Sequence, residues 1–215
     1  RRPSRRRSGG KRNRRGADVG AAAGDVPEQH IRMTARRPGV GRHHGIRGDF
    51  QRALAAVGQR RLWEECQALA SGTVPIYTPT VRGGKKMSVG MLCLGRHWNA
   101  LTYRYEETRT DFDGLRVPPI PADFEAIATN AATRAGFTMR PDICIMNFYD
   151  QQSRMGVHQD KDESRETIES GVPIVSVSIG DTARFVIGGL SRKDPMRPIM
   201  LYSGDVIVMG GPSRL

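Results

Sequence analysis

The sequence predicts an α+β fold that is mainly β: a jelly roll, or double-stranded β-helix, with N-terminal helices packed on one face. Three observations predict it. Two stretches ahead of residue 136 carry apolar residues at helical spacing, whereas those after it are short, alternate apolar and polar residues, and are separated by turn residues. Helices gathered ahead of a run of strands favour segregated layers over alternating βαβ units. A 38% hydrophobic content over 215 residues is enough for one full core.

Residues 1–46 are expected to form a disordered basic tail. They open with Arg1-Arg-Pro-Ser-Arg-Arg-Arg7, include an Ala/Gly stretch near Ala21, and hold too few branched or aromatic residues to offset the entropy of ordering. The formal charge of +12 sits almost wholly here: residues 1–47 carry 14 Lys or Arg against three Asp or Glu. The remaining chain is close to neutral, so the charge says little about the folded part. The tail reads as a nucleic-acid-grasping arm, as an Arg-rich organellar transit peptide, or as an extension with no selected role. Because the chain begins at Arg1 and stops abruptly at Leu215, it is expected to be a piece of a longer protein.

The first helix is predicted within Phe50–Leu69, where Leu54, Val57, Leu62, Trp63, Cys66 and Leu69 recur at helical spacing and Ser71-Gly72 breaks the pattern. The second runs from Pro121 to Gly136, with Phe124, Ile127, Ala128 and Ala131 as its apolar stripe; proline suits a first turn and glycine a C-terminal stop. Between them, Lys86–Cys93 reads as strand broken by glycine, followed by an aromatic segment, Trp98–Tyr105. Strands are then predicted at 143–149, 174–179, 183–187, 200–202 and 206–209, with Gly188-Gly189 and Ser203-Gly204-Asp205 as turns. Cys66, Cys93 and Cys144 have no paired spacing, which excludes a disulfide framework and a zinc knuckle and fits a reducing compartment. No apolar run approaches the roughly 18 residues of a membrane span, and no secretory leader follows the arginines.

His158-Gln-Asp160 is the pair that points to chemistry. On an extended strand, residues i and i+2 leave one face with Cα atoms about 6.6 Å apart, so an imidazole and a carboxylate can converge on one ion. Two histidines and a carboxylate with open positions form the ligand set of ferrous oxygenases. No histidine follows His158, so a third ligand is not found in the later strands. Ile174-Val-Ser-Val-Ser-Ile179 alternates serines with branched residues, which leaves room on one side of a sheet. The bland alternative for the pair is a surface strand with a hydrogen-bonded histidine.

Over roughly residues 85–215 the chain resembles the AlkB family of iron- and 2-oxoglutarate-dependent nucleic-acid dioxygenases, in its bacterial-type branch. The resemblance rests on Lys86-Met-Ser-Val, Trp98 with Tyr105, Ile145-Met-Asn-Phe-Tyr149, His158-Gln-Asp-Lys-Asp-Glu163 and Pro173-Ile-Val-Ser-Val-Ser-Ile-Gly180. Two later stretches add to it: Phe185-Val-Ile-Gly-Gly-Leu-Ser-Arg192 and Gly204-Asp-Val-Ile-Val-Met-Gly-Gly-Pro-Ser-Arg-Leu215. It implies oxidative demethylation of alkylated bases in DNA or RNA with Fe(II) and 2-oxoglutarate, releasing formaldehyde and succinate. It implies that His158 and Asp160 bind iron, that Asn147 and Tyr149 contact 2-oxoglutarate, and that Asp162 and Arg192 meet the base or the pocket mouth. Trp98 and Tyr105 become lid aromatics on which a flipped base stacks. The third metal ligand and the arginines anchoring 2-oxoglutarate would lie past Leu215, so the final strands are expected to be missing and these 215 residues to bind iron weakly and turn over little.

The domain division that follows is 1–46 as tail, 47–84 as a helical extension and 85–215 as an incomplete dioxygenase domain. Each assignment has a competitor. Tyr149 also suits a buried core strand, and Asp162 and Arg192 also suit solvated charged turns. Trp98 and Tyr105, at odd spacing, share a face only if a bend separates them; otherwise one of them is core. At the level of function, the alternatives are a noncatalytic nucleic-acid-binding product of a shortened transcript and an oxygenase acting on a small molecule. The expected protein is a monomer, intracellular, with nucleus, mitochondrion, plastid and cytoplasm all open.

Overall fold

The computed structural model describes residues 30–36 and 54–211. Its largest sheet has five strands, formed in chain order by β1 (His30–Arg36), β2 (Gly90–Leu94), β5 (Ile143–Tyr149), β6 (Ile174–Ile179) and β9 (Val206–Met209) and arranged β2-β5-β1-β6-β9. Two ribbons accompany it: β3 (His97–Asn99) with β4 (Arg104–Glu106), and β7 (Ala183–Ile187) with β8 (Arg197–Leu201). The helices are α1 (Ala56–Ala70), α2 (Ala122–Arg134) and the short α3 (Arg165–Glu169).

Alternation along the strands gives the large sheet two unlike faces. One carries Leu92, Leu94, Cys144, Met146, Val175 and Val177, which pack with Leu62 and Cys66 of α1 and Phe124, Ala128 and Ala132 of α2 into the main core. The other carries Met91, Cys93, Ile143 and Ile145 in a second cluster with Tyr77, against which Trp98 and Tyr105 pack. Further along β5 and β6 this same face turns polar at Asn147, Ser176 and Ser178.

The helix ends obey local rules. Pro121 caps α2, and Gly136 at φ 83° terminates it. The Gly136 N–H donates to Thr133 O at 3.0 Å and the Phe137 N–H to Ala132 O at 2.9 Å, the two bonds of a Schellman stop. Ser164 caps α3, its Oγ accepting from the Thr167 N–H at 3.2 Å. That short helix begins two residues after the charged stretch Lys161–Glu163. Val57, assigned to the apolar stripe of the first helix, is 83% exposed: α1 starts at Ala56, and its first turn lies outside the packed region.

One strand corrects the expected tail. His30–Arg36 is not disordered but forms β1, in parallel register with β5 on one side and β6 on the other. Met33 is 1% exposed and belongs to the main core. Thr34 stands level with Asn147 and Ser178, and Arg36 with Tyr149. A strand bonded on both sides has partners for the N–H and C=O groups of both its edges, which compensates for a composition poor in branched side chains. The other residues of the expected tail, 1–29 and 37–46, lie outside the described residues. The helical extension assigned to 47–84 shares its core with the sheet through α1.

Candidate active site

The polar end of the β5–β6 face opens into a cavity of about 1530 Å³, walled opposite by the β7–β8 ribbon and closed at one side by the loop after β5. Asn147 and Tyr149 reach it from β5, Ser176 and Ser178 from β6, His158 and Asp160 from the loop, and Arg192 from the rim.

His158 and Asp160 converge, but not from a strand. Residues 155–163 have no regular secondary structure, so the pleated-strand geometry expected for the pair does not hold; the loop itself turns both groups inward. His158 Nε2 lies 3.2 Å from Asp160 Oδ1. His158 Nδ1 lies 2.7 Å from the Gly156 carbonyl, which can only accept, so Nδ1 carries the proton. In the neutral ring Nε2 is then a lone pair facing a carboxylate, and such a pair needs a proton or a metal cation between its atoms.

The loop leading to the pair is stapled. Asp150 Oδ1 accepts from Gln152 N at 2.9 Å and Ser153 N at 2.7 Å, and the single Ser153 hydroxyl proton lies between two acceptors, Asp150 Oδ1 at 2.7 Å and Ser88 O at 2.5 Å. Ser88 Oγ donates to Arg154 O at 3.0 Å and accepts from Arg154 N at 2.9 Å. The Ser153 hydroxyl and these N–H groups hold the Asp150 carboxyl below its ordinary range. On the opposite rim, Arg192 lies within a tight turn in which Asp194 Oδ2 accepts from Ser191 N at 2.9 Å and the Asp194 N–H donates to Ser191 O at 3.0 Å. A Cβ at Gly189 would lie 2.3 Å from that same Asp194 oxygen, so a larger residue there would push the carboxylate away from Ser191 N.

Asn147 is 2% exposed, and its Oδ1 meets no donor among the described residues. Turning the amide about its last bond would present NH2 at the same place, so the position can donate to or accept from a ligand in the cavity. Among the described residues, no group of three His, Cys, Asp or Glu side chains converges as a metal site. Fe(II) therefore fits this site in part: His158 and Asp160 supply two of the three groups of the facial set.

Trp98 and Tyr105 share a face because the chain bends between them. β3 and β4 form a hairpin in which the two are directly paired, with Ala100–Tyr103 as the connection. Trp98 Nε1 donates to Asp162 Oδ2 at 2.8 Å, which links the hairpin to the loop that carries the His158–Asp160 pair. Trp98, Tyr105 and Asp162 are half-buried beside the cavity rather than on its wall.

Beneath the hairpin lies a buried polar network that the sequence does not announce. His97 is fully buried, and its Nε2 stands 2.6 Å from Asp111 Oδ1; Asp111 Oδ2 accepts from Ala100 N at 2.9 Å. Arg109, also fully buried, donates through Nε to Asp113 at 2.9 Å and through Nη1 to Pro75 O at 2.6 Å. Its guanidinium carbon sits 5.2 Å from the Tyr77 ring centroid and 5.1 Å from that of Phe112. Burial lowers the His97 pKa, outweighing the Asp111 carboxylate, and His97 Nδ1 meets no partner among the described residues, so a second proton there would have no acceptor. The Asp111-Phe-Asp-Gly114 turn chemistry was the one available sequence cue to this network. Burial also pushes the thiols of Cys66 and Cys93 up to about 12, and all three cysteines are free and buried.

Comparison with known proteins agrees with this architecture. Residues 51–215 match the 2OG-Fe(II) oxygenase superfamily. The chain is 42% identical over 177 residues to the DNA N(6)-methyladenine demethylase ALKBH1C of Arabidopsis thaliana, covering 75% of this chain but only 39% of that protein. It is 36% identical over 172 residues to the alpha-ketoglutarate-dependent dioxygenase AlkB homolog of Caulobacter vibrioides, covering 78% of this chain and 74% of that one. The solved structure of OsALKBH1 superposes with a TM-score of 0.72 at 36% identity, covering 77% of this chain and 80% of that chain. The chain belongs to the AlkB family of the 2OG-Fe(II) oxygenase superfamily.

Proposed function

We propose that this chain carries most of the substrate- and metal-binding part of an oxidative nucleic-acid demethylase, with the large sheet and the β7–β8 ribbon as the two faces of a jelly roll. The observation that carries the reading is the approach of His158 Nε2 to Asp160 Oδ1, 3.2 Å apart on the wall of a cavity. Fe(II) with 2-oxoglutarate and dioxygen supplies the oxidant that hydroxylates an N-linked methyl group, giving succinate and carbon dioxide and then formaldehyde.

The chain's own residues bind and orient. His158 and Asp160 would hold the metal, the Gly156 carbonyl fixing the imidazole tautomer that leaves Nε2 unprotonated. Asn147 and Tyr149, two apart on β5 and both on the cavity wall, hydrogen-bond the co-substrate. The target base leaves its stack to lie against Trp98 and Tyr105, its exocyclic nitrogen toward Asp162. Arg192 lies on the rim, where a phosphate of the same strand would pass. The partner is DNA or RNA carrying an alkylated base, and the protein acts as a monomer inside the cell.

A second reading, noncatalytic nucleic-acid binding, draws on the exposed basic stretch Arg82–Lys86 close to the aromatic hairpin. Formaldehyde release from an oligonucleotide containing N6-methyladenine, by the protein that carries this segment, decides between them. Release lost in both His158→Ala and Asp160→Ala supports demethylation, and release unchanged in either refutes the metal roles.

A further inference from the structure

Trp98 is bracketed by polar side chains on the face of β3 opposite its indole. In a strand, residues 97 and 99 face away from residue 98. His97 and Asn99 are accordingly buried, while Trp98 is half-buried and donates to Asp162 at 2.8 Å. The β3–β4 ladder has only three residue pairs, too few to fix a hairpin by itself.

The segment that follows β4 supplies the rest of the fixing. One Asp111 carboxylate oxygen stands 2.6 Å from His97 Nε2 and the other accepts from the Ala100 N–H at 2.9 Å, so a single side chain ties the residue before Trp98 to the turn after it. A carboxylate only accepts, so Nε2 carries the His97 proton. Asn99 adds Nδ2 bonds to Thr110 at 3.0 Å and Glu106 at 3.1 Å, and its Oδ1 accepts from the N–H groups of Leu101 and Thr102. The Asp111 side chain is 3% exposed and belongs to a turn closed by the Gly114 N–H, which donates to Arg109 O at 2.9 Å. Arg109 fastens that turn to the body of the protein through Pro75 O at 2.6 Å. The result is a strut beneath Trp98.

Such a strut is a costly way to stabilise a hairpin. A buried carboxylate loses its hydration, and apolar residues of like volume would stabilise the packing as well or better. His97 adds to the cost, because its Nδ1 meets no partner among the described residues. Directional bonds give what apolar packing does not, a fixed angle for the residue they flank.

We propose that Asp111 and His97 are positioning residues for base recognition, holding Trp98 in the orientation in which its N–H reaches Asp162 and its ring is set to stack. The assignment rests on the proposed stacking role of Trp98. A side chain already fixed loses less freedom when a base settles on it, so the strut acts on affinity for nucleic acid and not on affinity for 2-oxoglutarate.

The test uses the protein that carries this segment, labelled with fluorotryptophan, and a short single-stranded oligonucleotide with N6-methyladenine at its centre. The Trp98 fluorine resonance is identified by its loss in Trp98→Phe. In Asp111→Asn that resonance should shift or broaden, and Kd for the oligonucleotide should rise about fivefold or more with Kd for 2-oxoglutarate unchanged. The substitution removes a negative charge, which by itself would tighten binding to a polyanion, so a weaker complex cannot come from charge. His97→Gln, which keeps an N–H donor for Asp111, should lie nearer the native protein on both readings than His97→Leu. Each variant is read well below its own melting temperature, so loss of the fold does not contribute.

The moved resonance and the weaker oligonucleotide binding together support the proposal. A moved resonance with unchanged oligonucleotide affinity makes the strut structural only, and overturns it. Weaker binding with the resonance unmoved, or an equal loss for 2-oxoglutarate, also overturns it, because Asp111 then does not act through Trp98. If Trp98→Ala weakens binding where Asp111→Asn does not, the stacking role stands without the strut. Binding insensitive to both substitutions overturns both.

Discussion

Trp98 commits its indole N–H to Asp162, so one side chain both offers a stacking face and holds an acceptor on the neighbouring loop. The two roles separate by substitution. Trp98→Phe keeps a ring but loses the donor, and should raise KM for nucleic acid about threefold with KM for 2-oxoglutarate unchanged; Trp98→Ala loses both and should raise it about tenfold or more. Equal effects on both KM values would make Trp98 structural. His97 gives a pH test. Its folded pKa is lowered from the ordinary 6.5, so between the two values the unfolded chain binds the extra proton and stability falls as pH drops below about 6.5. The melting temperature of the native protein should therefore decline between about pH 7 and about pH 5 more steeply than that of His97→Gln, as scanning calorimetry would read. Asp111→Ala should lower stability by about 3 kcal/mol in denaturant titrations, because it leaves the donors at His97 and Ala100 buried without their shared acceptor.

At the level of elements, β1 is the surprise, and a physical reason explains why the sequence concealed it. Ile31, Met33 and Ala35 alternate with His30, Arg32, Thr34 and Arg36, a period of two that marks a strand, but this pattern is submerged in an arginine-rich stretch whose overall composition reads as tail. Its parallel partners lie more than a hundred residues later, so no local cue indicates them. Strands with branched residues and flanking turns were legible to the residue: the predicted 143–149, 174–179, 183–187 and 206–209 coincide with β5, β6, β7 and β9. The hairpin beneath Trp98 and Tyr105 was legible only as a requirement for a bend, since a four-residue connection between three-residue strands leaves little periodicity to detect. Removing a core side chain tests β1 directly. Met33→Ala should destabilise the protein by about 2–4 kcal/mol in chemical denaturation, and a change under about 0.5 kcal/mol would contradict its place at the centre of the sheet.

For the molecule as a whole, the folded part is close to neutral, while positive charge gathers at its N-terminal residues and on the exposed loop beside the aromatic hairpin. The sheet offers helices on one face and a polar cavity on the other, which is how one layer both stabilises the fold and leaves room for ligands. The cavity was legible through the small serines of Ile174–Ile179, and the His158–Asp160 pair through its spacing, though a loop and not a strand brings the two together. The buried His97–Asp111 and Arg109–Asp113 pairs were not legible, because charged residues in a turn look solvated until the fold closes over them. Metal affinity is the most direct measurement of the central claim. Under anaerobic conditions, Fe(II) titration of the protein that carries this segment should show one bound equivalent, with affinity falling about tenfold or more in each of His158→Ala and Asp160→Ala. Equal affinity in the native protein and both variants would contradict it.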